Sequence, residues 1–408
     1  MTEARETTGE ARKGPSPFAL LGAAQFLSQF GDSIFMIVFI WLLLDLTGSK
    51  SATGFAAMIS YLPALLFGVV AGFLVDRWNR RRVMAAADAT RGLLLLAGGV
   101  LYAAGLLTAP VLTAIAFLCA TAAVLFNPAR DSILPELVSG ERLVAANAWI
   151  QASQQAAYLA GPLVAGFVIQ TTGVGATFPA GAFLYGGSLA MIVVMGNVGR
   201  AHRGAEAPPR ALADFRQGLA AIGRDGTLLL LLAYTALDNL FIMGPAIVGN
   251  AVMVRETLHG DAGMYALVEA TYGLGWGLGS ILVSRFAARF PHGMLLLVGI
   301  TLDGLTYVPL YWCRSLPYLL FVSLVHSMVI PLITVPRSTI FQRIVPKERL
   351  GRVFALQNVV VVGMTALSSG LAGLALEWID APTLFGVIGL AAGATGLAGF
   401  ASKRLREL

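Results

Sequence analysis

The feature of this sequence that most constrains its fold is a series of long apolar runs. A helix needs about 20 apolar residues to cross the hydrocarbon core of a bilayer, whereas strands of a membrane barrel would be about half as long and would alternate in polarity. Backbone groups cannot stay unpaired in lipid, so runs of this length must be helical. Twelve runs reach or approach it: residues 18–44, 52–75, 83–107, 110–127, 143–169, 174–198, 227–254, 262–284, 293–313, 316–336, 353–376 and 382–402.

The overall composition excludes a water-soluble protein. Hydrophobic residues make up 57% of the 408 positions and charged residues 12%, whereas soluble domains are about 25% charged. A net charge of +6 on a soluble chain would suggest a nucleic-acid partner. Here the basic residues lie in short loops between apolar runs, as membrane topology requires. We therefore expect an all-α polytopic membrane protein of twelve spans, with no nucleic-acid partner.

The placement of Lys and Arg predicts how the spans are oriented. With both termini in the cytoplasm, 22 of the 28 basic residues fall in cytoplasmic segments. Three lie within or at the ends of spans, and the outer loops hold the other three, Lys50, Arg255 and Arg314. Basic residues accumulate on the cytoplasmic side of membrane proteins. We therefore expect a multi-pass protein of the inner (plasma) membrane with both termini cytoplasmic.

One polar stretch, residues 199–226, interrupts the pattern of short loops. It is mixed in charge and carries Pro208 and Pro209 at its middle, and we interpret it as a cytoplasmic linker. At the start of the sequence, a polar tail precedes the first apolar run. That run is too long for a signal peptide, and we take it as a retained span. The predicted segments are a tail at 1–17, a six-helix bundle at 18–198, the linker, a second six-helix bundle at 227–402 and a tail at 403–408.

The two predicted halves match each other at one offset of 207 residues. The shared positions include paired glycines and a charged triplet, which mean more than coincidences of Leu or Ala. They are Gly68 with Gly275, Gly72 with Gly279, Arg130 with Arg337, Val138 with Val345, Glu141-Arg142-Leu143 with Glu348-Arg349-Leu350, and Asp32 with Asn239. Parallel six-span repeats related by an axis along the membrane normal are a known transporter plan.

A distinctive motif stands between the second and third spans. It reads Gly72-Phe-Leu-Val-Asp76-Arg77-Trp-Asn79-Arg80-Arg81-Arg82. Gly68 and Gly72 would let another helix approach closely. Asp76 would be an acceptor at the membrane edge, satisfied by a helix N-terminus or an arginine. A basic cluster that serves only as a topology signal is the simpler alternative, but topology does not require the Asp-Arg pair.

This loop resembles the signature of the major facilitator superfamily, G-x-L-x-D-R-x-G-R-[KR]. Asn79 stands where the second glycine is usual, and Asn tolerates the left-handed backbone that such a turn would use. The resemblance implies twelve helices in two pseudo-symmetric six-helix bundles. It also implies that the loop residues Gly72, Asp76, Arg77, Arg80 and Arg81 form a latch between the halves on the cytoplasmic face.

Two further stretches, residues 127–148 and 336–353, narrow the resemblance. They are similar to the span-four-to-five and span-ten-to-eleven segments of the enterobactin-exporter and macrolide-efflux group. On span five, Gly161-Pro162 resembles the Gly-Pro motif of antiporters, although Ala165 stands where a glycine is usual. The resemblance covers nearly the whole chain, but it does not identify a substrate.

Acidic side chains within the spans are the candidate functional residues, because an ionisable group in lipid usually faces a cavity or a partner. Asp32 lies near the middle of span one, and Asp238 with Asn239 at the equivalent place on span seven. We expect Asp32, Asp238, Asn239 and Glu269 to line a central cavity and to couple protons. A buried, hydrogen-bonded carboxyl that never cycles is the alternative. For Asp303, on a span that is usually peripheral, a structural partner is expected.

Other charged residues in the spans are expected to be structural. Asp88 and Arg91 are three apart on one helical face and predict a local ion pair. Arg130 with Asp131, and Arg337, lie at the inner ends of their spans and are expected to be gate or packing residues, as are Gly161 and Pro162.

The sequence carries no signature of a soluble enzyme or of a metal site. The four histidines are scattered, and no His-Glu-x-x-His, Cys-x-x-Cys or Walker sequence occurs. The glycine-rich run 273–279 lies inside a span with no strand before it, so we expect close helix packing instead of a nucleotide loop. Cys119 and Cys313 lie in opposite halves, and we infer no disulfide. We expect no catalytic residue, metal or cofactor, and a proton gradient as the energy source.

Three functional hypotheses remain open from the sequence. The first is a proton-coupled exporter of small amphipathic organic molecules, such as a drug, an antibiotic or a siderophore, working as a monomer by alternating access. The second is an uptake or facilitated permease of the same fold. The third is a polytopic sensor or membrane enzyme, which the absent catalytic motifs disfavour. The expected partners are a small-molecule substrate, protons and membrane lipid.

Overall fold

The computed structural model describes residues 16–138, 140, 142–196, 198 and 225–408, without the side chains of residues 69, 70, 72, 73, 76, 144, 288 and 348. The first half of the described chain folds into six helices joined by short turns. They are α1 (Pro17–Thr47), α2 (Lys50–Arg77), α3 (Arg80–Ala103), α4 (Ala109–Leu137), α5 (Arg142–Thr172) and α6 (Thr177–Val194). Most of the predicted linker, residues 199–224, lies outside the described residues.

The second half repeats this plan with more irregular rods. Its helices are α7 (Gly226–Gly244), α8 (Ala262–Phe286), α9 (His292–Leu305), α10 (Leu316–Val329), α11 (Pro331–Ile344), α12 (Lys347–Ala375), α13 (Ala381–Gly399) and the short α14 (Lys403–Arg406). The α7 rod continues to Thr257 through two π-helical turns, Pro245–Gly249 and Met253–Thr257. Ile330 is itself helical, so α10 and α11 form one rod.

Eleven of these helical rods, within the described part of the chain, are long and apolar enough to cross a membrane. The helix that does not meet this measure is α5, although it is 31 residues long. Its first half carries Asn147, Gln151, Ser153 and Gln154, which lower its hydropathy. The predicted twelve spans therefore correspond to twelve rods, of which eleven are apolar enough by composition alone.

The packing of the rods confirms two pseudo-symmetric bundles. In the first half, α1 packs on α5 and α6, α2 on α4, and α3 on α4 and α6. In the second half, α7 packs on α12 and α13, α8 on α10, and α9 on α11 and α13. Each pair in one half has its counterpart in the other. The halves meet through α2 on α12 and α5 on α8, which are exchanged by the same pseudo-symmetry.

The two ends of the molecule are called the linker end and the far end. The linker end is where α6 ends and α7 begins, and the far end is opposite, where α1 turns into α2. That far-end turn is two residues long because Gly48 adopts a left-handed φ of 61° and closes α1 onto Leu44 O. Ser49 then caps α2 by accepting a hydrogen bond from Ala52 N at 3.1 Å.

Some glycines allow two helices to pack closely, but one that was expected to do so does not. A Cβ at Gly275 or Gly279 would lie 2.6 Å from Leu324 O or 2.3 Å from Met328 O, so the glycine-rich run on α8 does pack closely, against α10. The prediction for Gly68 was wrong for this structure, because a Cβ there would meet nothing within 4 Å. Cys119 and Cys313 are both buried and free.

Candidate transport site

The two halves are joined at the far end by ion pairs. Lys50 Nζ lies 2.7 Å from Glu256 Oε2, and Arg255 Nη1 lies 2.6 Å from Asp45 Oδ1. The Arg255 guanidinium also lies 5.9 Å from the centre of the Trp41 ring. Each ion pair joins a residue of the first half to one of the second, so together they fasten the far end.

Hydrogen bonds and backbone packing tighten the same end. Glu377 Oε1 accepts from Ser49 Oγ at 2.9 Å and from the Ser51 amide at 2.8 Å. These bonds, from the Ser51 amide first, lower the pKa of Glu377 below its ordinary value. A Cβ at Gly373 of α12 would lie 2.8 Å from the Cα of Gly54 of α2. The far end is therefore sealed by contacts that a larger residue could not keep.

Toward the linker end, side chains of α5 become exposed. On α5, Trp149 and Gln151 are exposed and Tyr158 is 47% exposed, whereas Leu159 and Gly166 farther along pack against α8. The contact of α5 with α8 is therefore made by the far-end part of α5.

A charged network occupies the middle of the first half, and we call it the Asp32 centre: Ser28, Asp32, Asp88, Arg91, Tyr185 and Ser188. Arg91 Nη1 lies 3.0 Å from both carboxylate oxygens of Asp32, and Tyr185 Oη donates to Asp32 Oδ1. Arg91 Nη2 donates to Asp88 and, at 2.8 Å, to Ser28 Oγ. The network joins three helices, α1, α3 and α6.

Side-chain exposure within the network increases from Asp88 and Arg91 to Asp32. Asp88 and Arg91 are 0% and 1% exposed, and the side chain of Asp32 is 29% exposed. The predicted local pair of Asp88 with Arg91 is present, but it is only part of the network. Two carboxylates share one guanidinium, so with both acids ionised the centre carries one uncompensated negative charge.

The second half does not repeat this arrangement. Asp238 and Asn239 are buried at 8% exposure each, and the Asn239 amide donates to Thr235 O of its own helix at 2.8 Å. The nearby charge is Arg337 of α11, which acts electrostatically on Asp238. The structure thus brings Asp32 to the open face and keeps Asp238 and Asn239 inside their bundle.

Glu269 of α8 lies at the interface between the halves. It is partly buried, and Asn250 Nδ2 donates to its Oε1 at 3.3 Å. Its charge also acts on Tyr61 of α2, in the other half. Of the four acid or amide positions predicted to line a cavity, Asp32 and Glu269 are partly exposed, whereas Asp238 and Asn239 are buried.

The signature loop holds the first half together at the linker end. Arg80 pairs with Glu136 at the end of α4, and Arg81 Nη1 donates to Gly196 O after α6. The side chains of Gly72 and Asp76 lie outside those described, and Arg77 is exposed. The latch across the halves stays a prediction.

The structure changes the expectation for Asn79. Its φ of −68° and ψ of 108° are extended, not left-handed. Its side chain caps α3 by accepting from Arg82 N at 3.0 Å. The turn therefore uses Asn as a helix cap, and does not need the backbone freedom of glycine.

The residues expected to be gates or packing sites fall into different environments. Arg130 bonds locally, with Nε 2.8 Å from Asp131 Oδ1 and Nη1 3.1 Å from Asn127 Oδ1. Arg337, its equivalent, is 8% exposed and leaves its Nε without a hydrogen bond. The two sites are thus not equivalent in chemistry.

Gly161 and the neighbouring Pro162 lie on the buried face of α5. A Cβ at Gly161 would lie 2.4 Å from Ser33 Oγ on α1. The Gly-Pro pair therefore lets α1 and α5 approach closely beside the Asp32 centre.

Sequence reasoning missed the partners of Asp32. A signal for Arg91 was available, because an arginine buried at mid-span requires an acid and Asp32 lies at a similar depth. For Tyr185 and Asn250 no sequence signal existed. Among the described residues, no group of three His, Cys, Asp or Glu side chains could hold a metal ion.

Two pseudo-symmetric helical bundles, with a charged network in the middle of the first, are the arrangement of a membrane transporter of the two-bundle class. The family model described as Major Facilitator Superfamily matches residues 21–249 and again residues 228–407. The chain therefore belongs to the major facilitator superfamily, as the signature loop predicted. It is a multi-pass membrane protein, and a transporter instead of an enzyme.

Curated relatives confirm the narrower resemblance drawn from residues 127–148 and 336–353. The chain is 26% identical over 408 residues to the multidrug efflux pump Tap of Mycobacterium tuberculosis, covering 98% of this chain and 96% of Tap. It is 24% identical over 354 residues to macrolide efflux protein A of Streptococcus pyogenes, covering 84% of this chain and 85% of that protein.

Solved structures share the fold at low identity. The nucleoside transporter NupG aligns with a TM-score of 0.79 and 11% identity, covering 95% of this chain and 99% of NupG. A bacterial homolog of the human lysosomal transporter Spinster, solved in an inward-facing conformation, aligns with a TM-score of 0.71 and 13% identity, covering 96% and 95%. At this identity the likeness establishes the fold alone.

Proposed function

We propose that the chain is a proton-coupled exporter of small amphipathic organic molecules, such as a drug, an antibiotic or a siderophore, working as a monomer by alternating access. The observation that carries the proposal is the Asp32 centre, where a buried acid and a partly exposed acid share one buried arginine. The similarity to efflux proteins supports the direction of transport. The energy source is the proton gradient, in which one proton gains about 2.3 kcal/mol per 100 mV.

The charge balance of the Asp32 centre suggests how a proton and a substrate compete. When Asp32 is ionised, the centre holds an extra negative charge, which a cationic substrate group can neutralise. When Asp32 takes up a proton, Arg91 and Asp88 remain as a balanced buried pair. Proton binding then removes the attraction for the substrate. Protons and cationic substrates can therefore replace each other at one carboxylate, which is the requirement for antiport.

The surroundings of Glu269 support an amphipathic substrate. Its carboxylate lies at the interface between the halves, in electrostatic range of Tyr61 and Tyr272. Tyr158, across the space on α5, lies 3.5 Å from the Gln29 amide beside the Asp32 centre. Aromatic faces attract organic cations and bury apolar groups. A molecule with one cationic group and an aromatic or aliphatic body fits this lining.

The distribution of basic residues supports a cytoplasmic linker end, with the protein in the inner (plasma) membrane. With that orientation, the conformation sealed at the far end is open to the cytoplasm. An exporter would load its substrate in this state. The latch role of Gly72, Asp76, Arg77, Arg80 and Arg81 belongs to the opposite state, in which the linker end closes.

The test is transport by Asp32→Asn in vesicles under an imposed pH gradient. We expect proton-driven export to be lost while substrate exchange without a gradient persists, because Asn cannot exchange a proton. Asp261→Asn is the matched control, since Asp261 caps α8 at the far end and Asn caps equally well. Full proton-driven export by Asp32→Asn would overturn the proposal.

The alternative within this fold is an uptake or facilitated permease. A panel of toxic compounds and siderophores, assayed with and without an uncoupler, separates the two. For an exporter, dissipating the proton gradient raises cellular accumulation of the substrate. For a facilitated permease it leaves the equilibrium distribution unchanged.

A further inference from the structure

A second buried polar cluster lies in the second half, away from the Asp32 centre, and we call it the Asp303 cluster: Asp238, Asp303, Thr306, Tyr307, His326 and Arg337. Asp303 and His326 are 2% and 1% exposed. His326 Nδ1 lies 3.7 Å from Asp303 Oδ1, which is too far for a hydrogen bond. Two charged or titratable groups thus meet in the membrane-embedded core without closing a bond.

The hydrogen bonds of Thr306 indicate where the Nδ1 proton of His326 points. Its hydroxyl lies 2.8 Å from Leu302 O and 3.0 Å from Asp303 O, so its hydrogen is used by the helix backbone. Its oxygen then accepts from His326 Nδ1 at 2.9 Å. The imidazole also stacks on Tyr307 at 4.0 Å between ring centres. The Nδ1 of His326 is therefore directed at Thr306 and not at the Asp303 carboxyl, and burial of the ring disfavours its charged form.

The carboxylate of Asp303 is left without compensation. Its Oδ1 is buried and has no hydrogen-bond partner, and the same holds for Oδ1 of Asp238. One guanidinium, Arg337, serves the cluster, and its charge acts on Asp238. The two carboxyls also act on each other. Burying a second unpaired carboxylate in lipid costs several kcal/mol, and such a group takes up a proton instead.

The helices around Asp303 bring no other cation to it. Around Asp303 lie Tyr307, which follows α9, and His326 of α10, and the charge of Asp238 of α7 acts on it. In the described chain, α13 also packs on α9 and carries no ionisable side chain. The basic residues of α14, and His292, lie at the linker end of α9, about three turns away.

We propose that Asp303, packed against His326, is a proton-binding site of the second half, separate from Asp32. In this conformation the proton is enclosed. Hydroxyl groups lie between the cluster and the interface of the halves, since Tyr307 Oη lies 3.4 Å from Tyr272 Oη and Tyr272 is in electrostatic range of Glu269. A role of this site in coupling rests on the proposed function, but its protonation does not.

The test is infrared difference spectroscopy on the purified full-length protein at neutral pH. A protonated carboxylic acid has a carbonyl stretch resolved from the amide and carboxylate bands. We expect the wild type to show such a band, Asp303→Asn to lose it, and His326→Gln to shift it. Asp32→Asn and Glu269→Gln identify any band from those residues. The measurement needs no transport, so it stands whether or not export is proton-coupled.

An unchanged carboxylic-acid region in Asp303→Asn would overturn the proposal, as would loss of the band in Asp238→Asn with retention in Asp303→Asn. If Asp303→Asn fails to fold, His326→Gln decides: a carboxylic band insensitive to that change does not belong to Asp303.

Discussion

At the scale of single residues, Arg91 organises the first half. It is 1% exposed, donates to Asp32, Asp88 and Ser28, and lies 4.8 Å from the centre of the Tyr185 ring. Its charge is the compensation for Asp88, which is fully buried. Removing one partner of a buried ion pair leaves the other uncompensated, which is costlier than removing both.

We therefore predict that Arg91→Leu destabilises the protein by about 3–5 kcal/mol. The double variant Arg91→Leu/Asp88→Asn should regain much of this loss, because no buried charge is then left unpaired. The measurement is the unfolding transition in detergent. Arg289→Leu, at an exposed position in the turn after α8, is the control. A double variant no more stable than Arg91→Leu would contradict the charge-compensation argument.

For the Asp32 centre, the sequence predicted several of the participating residues but not the contacts between their helices. Asp32 was predicted to be functional because an acidic side chain within a membrane span is energetically costly. The Asp88–Arg91 pair was predicted from the spacing of the two residues on one helix. The hydrogen bond from Arg91 to Asp32 joins two helices, and the two residues are 59 positions apart in the sequence. Spans that are apolar all round leave the helix rotation unspecified, so the sequence does not show which faces turn toward each other.

At the scale of helices, the apolar runs located the rods but not their irregularities. The length of a run indicates a span, and each predicted run lies on one rod. The two π-helical turns of α7 and the proline break between α10 and α11 were not predicted, because these depend on how neighbouring helices re-satisfy backbone groups.

Glu377 links two helices of different halves, because it caps the start of α2 from the end of α12. Its pKa is lowered by the bonds it accepts, so its contribution to far-end closure is present above its ordinary pKa of 4.5 and is lost as the pH falls through the lowered pKa. We predict that far-end opening in the wild type increases over that acidic range. Glu377→Gln should open several-fold more at neutral pH and lose the part of the acidic step that comes from its own carboxylate.

The measurement is the distance between spin labels at positions 47 and 379, on a background without Cys119 and Cys313. Glu407→Gln is the control, since this exposed residue lies at the linker end. A wild-type distance distribution that does not change on acidification, or a Glu377→Gln variant whose acidic step is as large as that of the wild type, would contradict the prediction.

At the scale of the whole molecule, the pseudo-symmetry explains how one interface can close either end. The contacts α2 with α12 and α5 with α8 are exchanged by the same axis, so the halves can rock about it while each bundle stays intact. In this structure the far end is closed by two ion pairs, the Glu377 bonds and the Gly54–Gly373 approach. Exposed ion pairs are worth up to about 1 kcal/mol each, so the backbone packing decides how firmly the end closes.

We predict that Gly373→Val opens the far end and abolishes transport without unfolding the protein. A Cβ at position 373 would lie 2.6 Å from Lys50 O and 2.8 Å from the Cα of Gly54, both backbone atoms that cannot rotate away. Such overpacking costs about 1–3 kcal/mol. Since this cost falls on the closed state alone, it shifts the population about 5- to 150-fold toward the state open at the far end.

Gly363→Val on the same helix is the matched control, because a Cβ there meets only Leu65 Cδ2 at an ordinary 3.7 Å. With spin labels at positions 47 and 379, Gly373→Val should lengthen the far-end distance while Gly363→Val leaves it unchanged. An unaltered distance in Gly373→Val would mean that the glycine contact does not hold the end shut. The polar contacts around Lys50, Arg255 and Glu377 would then have to carry closure by themselves.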